Sequence, residues 1–308
     1  MTSLRLPVPP ARIAYAEGFA LALPKGHRFP MRKYELIPQA LRYEGIAADR
    51  DFFCPEELED EIALFTHTED YWNRFKNLEL TDRDMRAIGF PLSSKLIERS
   101  RRIARGTIGC ALWAMAHRDI ALNTAGGTHH AFAGHGEGFC LLNDFAITAN
   151  YLLNANLVQR ILIVDLDVHQ GNGTAKIFEN EPQVFTFSMH GQHNYPFRKE
   201  KSDLDIALSD GILGKEYLEI LAQSLPELLD NFQPEIVLYL AGVDVLATDK
   251  YGKMKLSQED CYERDLFVFQ ECRKRNIPVA VSMGGGYSPE IKHIVSAHVN
   301  TFRAALGH

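Results

Sequence analysis

Asp165-Leu166-Asp167-Val168-His169 places two carboxylates and an imidazole at alternate positions. They follow Ile161-Leu162-Ile163-Val164, an apolar run that reads as a buried strand. Residues i, i+2 and i+4 of a strand share a face, so Asp165, Asp167 and His169 converge at its C-terminal end. Unpaired charges buried there would be costly. A divalent cation removes that cost and brings Lewis acidity. A second apolar run leads into Ala241-Gly242-Val243-Asp244. Asp167, His169 and Asp244 are therefore the candidate ligands of a catalytic metal, three protein donors leaving room for water and substrate. Zinc suits the mixed set, and its oxygen content also admits manganese or iron(II). Read alone, Asp244 serves equally well as a turn cap.

Other chemically capable residues follow other apolar runs. His129-His130 comes after Ile120–Thr124 through Gly126-Gly127. Two imidazoles beside a metal-activated water can divide the work, one taking a proton and one supplying charge or a proton to the leaving group. Each needs an orienting acceptor, and Asp165 and Asn172 are suitable partners within the same loop. Tyr287 follows Gly284-Gly285-Gly286, a turn that lets backbone approach a ligand, and its phenol can donate to an oxyanion. Gly138-Phe139-Cys140 offers a Gly-aromatic wall for a narrow substrate channel.

The elements that must carry these residues alternate. Strands are expected at Ile120–Thr124, Ile161–Leu166, Val184–Ser188, Ile236–Ala241 and Val279–Met283. Helices are expected near Asn143–Leu153, Gly173–Asn180, Glu216–Leu229 and Ser257–Lys274, with a long one over Ser93–His117 capped by Ser93 or Ser94. Shorter helices are expected at Pro38–Glu44 and Pro55–Leu64. Such alternation implies a parallel sheet covered on both faces, with ligands outside the carboxyl ends of its strands.

Composition narrows the classes. The 308 residues are 46% hydrophobic and 24% charged, as in an ordinary globular enzyme. A net charge of −7 argues against direct nucleic-acid binding and mildly favours cationic substrates. Met1–Pro10 lacks the apolar core of a secretory leader, and no apolar run reaches the ~18–20 residues of a membrane span. Five cysteines without a CxxC pair fit reduced thiols in a cytoplasmic setting. Oligomeric state is not legible.

Five motifs together resemble a known family: Gly127-Thr128-His129-His130-Ala131, Gly138-Phe139-Cys140, Asp165 through Gly173, Ala241-Gly242-Val243-Asp244 and Gly284-Gly285-Gly286-Tyr287. In order and spacing they resemble zinc-dependent histone deacetylases, from Arg28-Phe29-Pro30-Met31 onward. Length and the Tyr195-Pro196 region look most like the class IV, or bacterial deacetylase-like, branch. The resemblance implies an α/β arginase/deacetylase fold over residues 1–308, one domain with an eight-stranded parallel sheet covered by helices on both faces. It implies Zn²⁺ on Asp167, His169 and Asp244. It pairs Asp165 with His129, makes His130 the principal base and acid, and gives Asn172 a place where class I members carry aspartate. It implies a structural K⁺ held by the Asp165, Asp167 and His169 region and by Ser188, with a second such ion near Phe178 and Val184. The expected activity is removal of acetyl or longer acyl groups from lysine in proteins or peptides. Phe139, with Tyr195 or Phe197 opposite, would line the channel, and Gly138, Gly285 and Gly286 would border substrate. Rival readings are a deacetylase of acetylpolyamines or another small acylated amine, an arginase-like ureohydrolase with two manganese ions, and a catalytically dead binding module. The ureohydrolase would want more bridging aspartates, and the dead module a missing ligand, base or tyrosine.

Overall fold

A strand buried on both faces must send alternate side chains into two separate apolar layers, and the central strands here do so. The computed structural model describes residues 5–308. The first four residues of the Met1–Pro10 segment therefore lie outside the described residues. Eight strands form one sheet: β1 (Ile13–Ala14), β2 (Phe52–Phe53), β3 (Ile120–Asn123), β4 (Ile161–Asp165), β5 (Val184–Gly191), β6 (Leu204–Leu208), β7 (Ile236–Leu240) and β8 (Val279–Ser282). Their order is β2-β1-β3-β8-β7-β4-β5-β6, and every pairing is parallel.

The helices are α1 (Lys33–Tyr43), α2 (Asp60–Ala63), α3 (Glu69–Lys76), α4 (Asp82–Ile88), α5 (Ser94–His117), α6 (Asp144–Asn154), α7 (Asn172–Phe178), α8 (Gly214–Phe232), α9 (Gln258–Lys274) and α10 (Ile291–Leu306). From β4, Ile161 and Ile163 join the layer containing Ile103 and Ile108 of α5 and Phe145 of α6. Leu162 and Val164 join the opposite layer, with Leu221 of α8, Phe269 of α9 and Phe302 of α10. Helices thus cover both faces. Ser93 is the α5 cap, its hydroxyl accepting from the Leu96 N–H at 3.2 Å.

The helix expected over Pro55–Leu64 forms only at Asp60–Ala63, because Glu59 is extended (φ −69°, ψ 141°) and starts the helix late. β1, β2, β6, α3, α4 and α10 carry no expectation from their residue patterns. Register sets the level of the site. Asn123, Ser282, Leu240, Asp165 and Ser188 are successive partners across β3, β8, β7, β4 and β5. Four of these strands, β3, β8, β7 and β4, therefore end at one height, while β5 runs on to Gly191, and the loops leaving them meet above that edge. Among the described residues no helix is long and apolar enough to cross a membrane, and all five cysteines are free thiols.

Candidate active site

The loop after β4 turns on its own carboxylates. Asp165 accepts the Asp167 N–H at 3.1 Å, and Asp167 accepts the His169 N–H at 3.0 Å. The loop after β7 brings Asp244 alongside, accepting from the Val168 N–H at 3.0 Å. One donor atom each from Asp167, His169 and Asp244 lies within 4.8 Å of the others. His169 Nδ1 is 2.9 Å from Asp167 Oδ1 and 3.1 Å from Asp244 Oδ2. Asp244 Oδ2 is buried and has no hydrogen-bond partner among the described residues. Gly285 leaves it space, since a Cβ there would stand 1.9 Å from Asp244 Oδ2. Burial and repulsion from Asp167 lift Asp244 to about 7. Burial opposes charge on His169, but the facing Asp167 and Asp244 carboxylates outweigh this and hold it at about 10. A buried acceptor without a donor, beside a second carboxylate and an imidazole, fits a divalent cation.

Arg264 secures the two ligand loops to one another. It is fully buried, paired with Asp265 at 2.8 Å, and donates to the carbonyls of Leu166 at 3.1 Å and Gly242 at 2.7 Å.

The two histidines sit on the turn after β3. Asp144 holds that turn, accepting from the Thr128 N–H at 2.8 Å and its hydroxyl at 2.7 Å. His129 Nδ1 meets Asp165 Oδ2 at 2.7 Å, and His130 Nδ1 meets Asn172 Oδ1 at 2.7 Å. Similar geometry gives the two rings opposite properties. Burial works against charge on His129, but the Asp165 carboxylate prevails and raises its pKa. Burial pushes His130 well below the usual imidazole range, helped by repulsion from His129 and His169, and Asn172 offers no compensating charge. One imidazole favours the cation while its neighbour, 4.1 Å away between centroids, favours the free base.

Tyr287 faces this pair across the cleft. Its ring lies 6.5 Å from that of His169 and 6.1 Å from that of Phe139. Asp249 anchors it from behind, accepting the Tyr287 N–H at 2.6 Å. Burial, then the Asp244 and Asp167 carboxylates, raise the phenol well above its ordinary value, so it remains a donor. Lys33, buried, donates to the Gly284 carbonyl at 2.9 Å and steadies the glycine turn.

A cleft of about 540 Å³ opens above, with Phe139, Tyr195 and Tyr287 among its walls. It narrows to an inner cavity of about 40 Å³ bordered by Asp167, His169, Asp244, Gly285 and Arg99, among others. Gly138 comes so close that a Cβ would meet His130 Cδ2 at 2.7 Å, and its φ of +56° suits glycine. Tyr195 stands edge-on to His130 at 5.0 Å, whereas Phe197 is 91% exposed at the rim. Of the two aromatics open in the sequence, Tyr195 is the one against the site. Gly286 packs towards Val243 and Ile294 behind the cleft, so of Gly285 and Gly286 only Gly285 lines the cavity, beside Gly284. Ser188 pairs with Asp165 across β4 and β5, and its hydroxyl lies 3.0 Å from His190 Nδ1. Phe178 and Val184 are buried at the end of α7 and the start of β5.

Sequence reasoning did not single out Lys33, Glu137, Asp144, Asp249 or Arg264. Only Glu137 has a local sign, being adjacent to Gly138-Phe139.

Comparison with known proteins agrees with this geometry. Residues 27–302 match the histone deacetylase domain. An uncharacterized protein of Picosynechococcus sp. is 41% identical over 95% of this chain and 97% of its own length. Histone deacetylase 2 of Arabidopsis thaliana is 29% identical over 94% of this chain and 78% of its own. The crystal structure of the HDA15 HD domain superposes with a TM-score of 0.80, covering 98% of this chain and 89% of that one at 20% identity.

Proposed function

The chain belongs to the histone deacetylase family, and from that premise we propose that it is a zinc-dependent lysine deacylase acting on short acyl groups, acetyl above all. The observation that carries this reading is the facing of three elements across one cleft. They are the Asp167–His169–Asp244 donor set, a neutral His130 and a protonated Tyr287.

Asp167, His169 and Asp244 would hold the Zn²⁺, which when bound lowers the pKa of water and polarises an acyl carbonyl. His130 accepts the proton of the attacking water at Nε2, its Nδ1 being engaged with Asn172. The Tyr287 hydroxyl donates to the oxygen of the acyl carbon as it becomes tetrahedral. Burial opposes charge on His129, but Asp165 beside it outweighs this and favours its charged form, which places positive charge beside the reaction. The His130 imidazolium then protonates the leaving amine. The amide C–N bond breaks, and a carboxylic acid and an amine depart.

The inner cavity supports a short acyl group. Roughly 10–15 Å³ by the same measure holds one water, so about 40 Å³ has room for a few heavy atoms. A myristoyl chain would need the cavity to open. Arg28 and Lys253 stand at the cleft, and among the described residues no carboxylate lines it. This disfavours a free polyamine, which would bring further positive charge to that mouth. A K⁺ at the level of Asp165 and Ser188 and a cytoplasmic location accompany the proposal, the latter fitting the free thiols.

Parallel kinetics on acetyl-lysine peptide, myristoyl-lysine peptide and acetylputrescine test the substrate reading. The expected order of kcat/KM places acetyl-lysine first. Preference for acetylputrescine would overturn it.

A further inference from the structure

Glu137 lies in the loop between β3 and α6, one residue before Gly138, with its side chain 22% exposed. One of its oxygens does two things. Oε1 accepts the Asn172 side-chain amide at 2.6 Å and the Tyr195 hydroxyl at 2.6 Å. The other oxygen, Oε2, stands 4.0 Å from His135 Nε2. The first bond determines how Asn172 meets His130.

A primary amide has two faces of nearly equal size, one accepting and one donating. With its oxygen towards His130, Asn172 requires a proton on Nδ1 and leaves the Nε2 lone pair free. With its NH₂ towards His130, it would require the lone pair on Nδ1 and the proton on Nε2. Only the first arrangement provides a base facing the cleft. Asn172 alone does not choose between them. Its far face does, because that face meets the Glu137 carboxylate oxygen, which already accepts from the Tyr195 hydroxyl and offers no donor. Flipping the amide would set two acceptors against each other at 2.6 Å and lose a charge-assisted bond, roughly twice as strong as a neutral one. The second bond acts on the channel. It holds the Tyr195 ring edge-on to His130, with 82° between the planes.

We infer that Glu137 is a positioning residue that selects the His130 tautomer through Asn172 and fixes Tyr195 as the wall beside it. This rests on the reading of His130 as the base.

Glu137→Ala and Glu137→Gln decide the matter, each checked for zinc content and melting temperature. In ¹⁵N-histidine-labelled, zinc-loaded protein, the His130 tautomer is read from long-range ¹H–¹⁵N spectra. The parent should carry its proton on Nδ1. Glu137→Ala should mix or invert the tautomers and lower kcat on acetyl-lysine peptide by about ten- to hundredfold, the usual effect of removing an outer orienting partner. Glu137→Gln retains an acceptor oxygen and should restore both the tautomer and most of kcat. Tyr195→Phe removes only the second bond and should raise KM more than it lowers kcat. The inference is overturned if Glu137→Ala keeps the parental tautomer and kcat, or if Glu137→Gln is as impaired as Glu137→Ala. If the parent does not hydrolyse acetyl-lysine, the functional reading fails, yet the tautomer comparison still decides the role of Glu137.

Discussion

Tyr287→Phe isolates one hydrogen at the centre of the proposed chemistry. The ring of Tyr287 is held by neighbours that the substitution does not touch. Phe29 and Phe139 lie 6.1 Å from it and Tyr251 5.3 Å, centroid to centroid. Its backbone N–H is held by Asp249. A phenylalanine therefore keeps the ring in place, and only the donor is lost. The phenol is held protonated by burial and by the carboxylates of Asp244 and Asp167, so the hydrogen is present throughout the neutral range. Losing one donor to a developing oxyanion costs about 2.7–4 kcal/mol, or roughly 10²–10³ in kcat. KM should move far less, because the bond strengthens only as the carbonyl becomes tetrahedral. Steady-state kinetics on acetyl-lysine peptide, with zinc content measured in parallel, provides the assay. A zinc-replete Tyr287→Phe enzyme with kcat within a few-fold of the parent would refute the donor role and leave Tyr287 a wall residue.

Two further outcomes follow from the buried histidines. His130→Ala should lower kcat by about two to four decades, the range for a positioned acid–base group, with zinc content unchanged; near-normal turnover would assign the proton transfer elsewhere. His67, buried beside α6 and accepting the Asn143 N–H at 3.2 Å, is pushed down to about 4 by burial. The unfolded chain takes up a proton below about 6.5 that the folded protein refuses until about 4, so stability must fall as pH drops through that window. At about 1.4 kcal/mol per unit, this one group accounts for about 3 kcal/mol. Chemical denaturation at pH 7 and pH 4.5 should show the loss, and His67→Asn should reduce it; an unchanged pH dependence in that variant would exonerate His67.

The legibility of the sequence follows physical lines. β3, β4, β5, β7 and β8 are mostly apolar and carry or lead into polar groups at their C-terminal ends, so both their existence and their functional end could be read. β1 and β2 are two-residue pairings at Ile13–Ala14 and Phe52–Phe53, too short for any period to register. β6 is an edge strand half open to solvent, and Asp205 interrupts its apolar pattern. α10 begins without a side-chain cap at Glu290, removing the usual start signal. α4 does have a capping box on Thr81 and Asp84, a sign that was present and not used. At the site, Asp165, Asp167 and His169 were visible as polar groups alternating after an apolar run. β4 nonetheless ends at Asp165, which turns to His129, and the other two stand on the loop beyond it. The histidine pair was visible through its place after a strand and a Gly-Gly turn. Lys33, Asp249 and Arg264 act through bonds to the backbone of distant segments. Lys33 and Gly284 are 251 positions apart, and nothing local distinguishes such a lysine from one on a solvated face. Tyr195 and Phe197 are two residues apart and chemically similar, and only the path of the loop shows which one turns inward.

The central claim is that Asp167, His169 and Asp244 hold the metal on which lysine deacylation depends. Its most direct test is the hydrolysis rate of acetyl-lysine peptide measured against zinc bound per chain, in the parent and in Asp244→Ala. The parent rate should rise in proportion to bound zinc and level off at one ion per chain, while Asp244→Ala binds little zinc and stays inactive with its fold largely intact. Full zinc occupancy and parental turnover in Asp244→Ala, or turnover in the parent that ignores the metal, would contradict it.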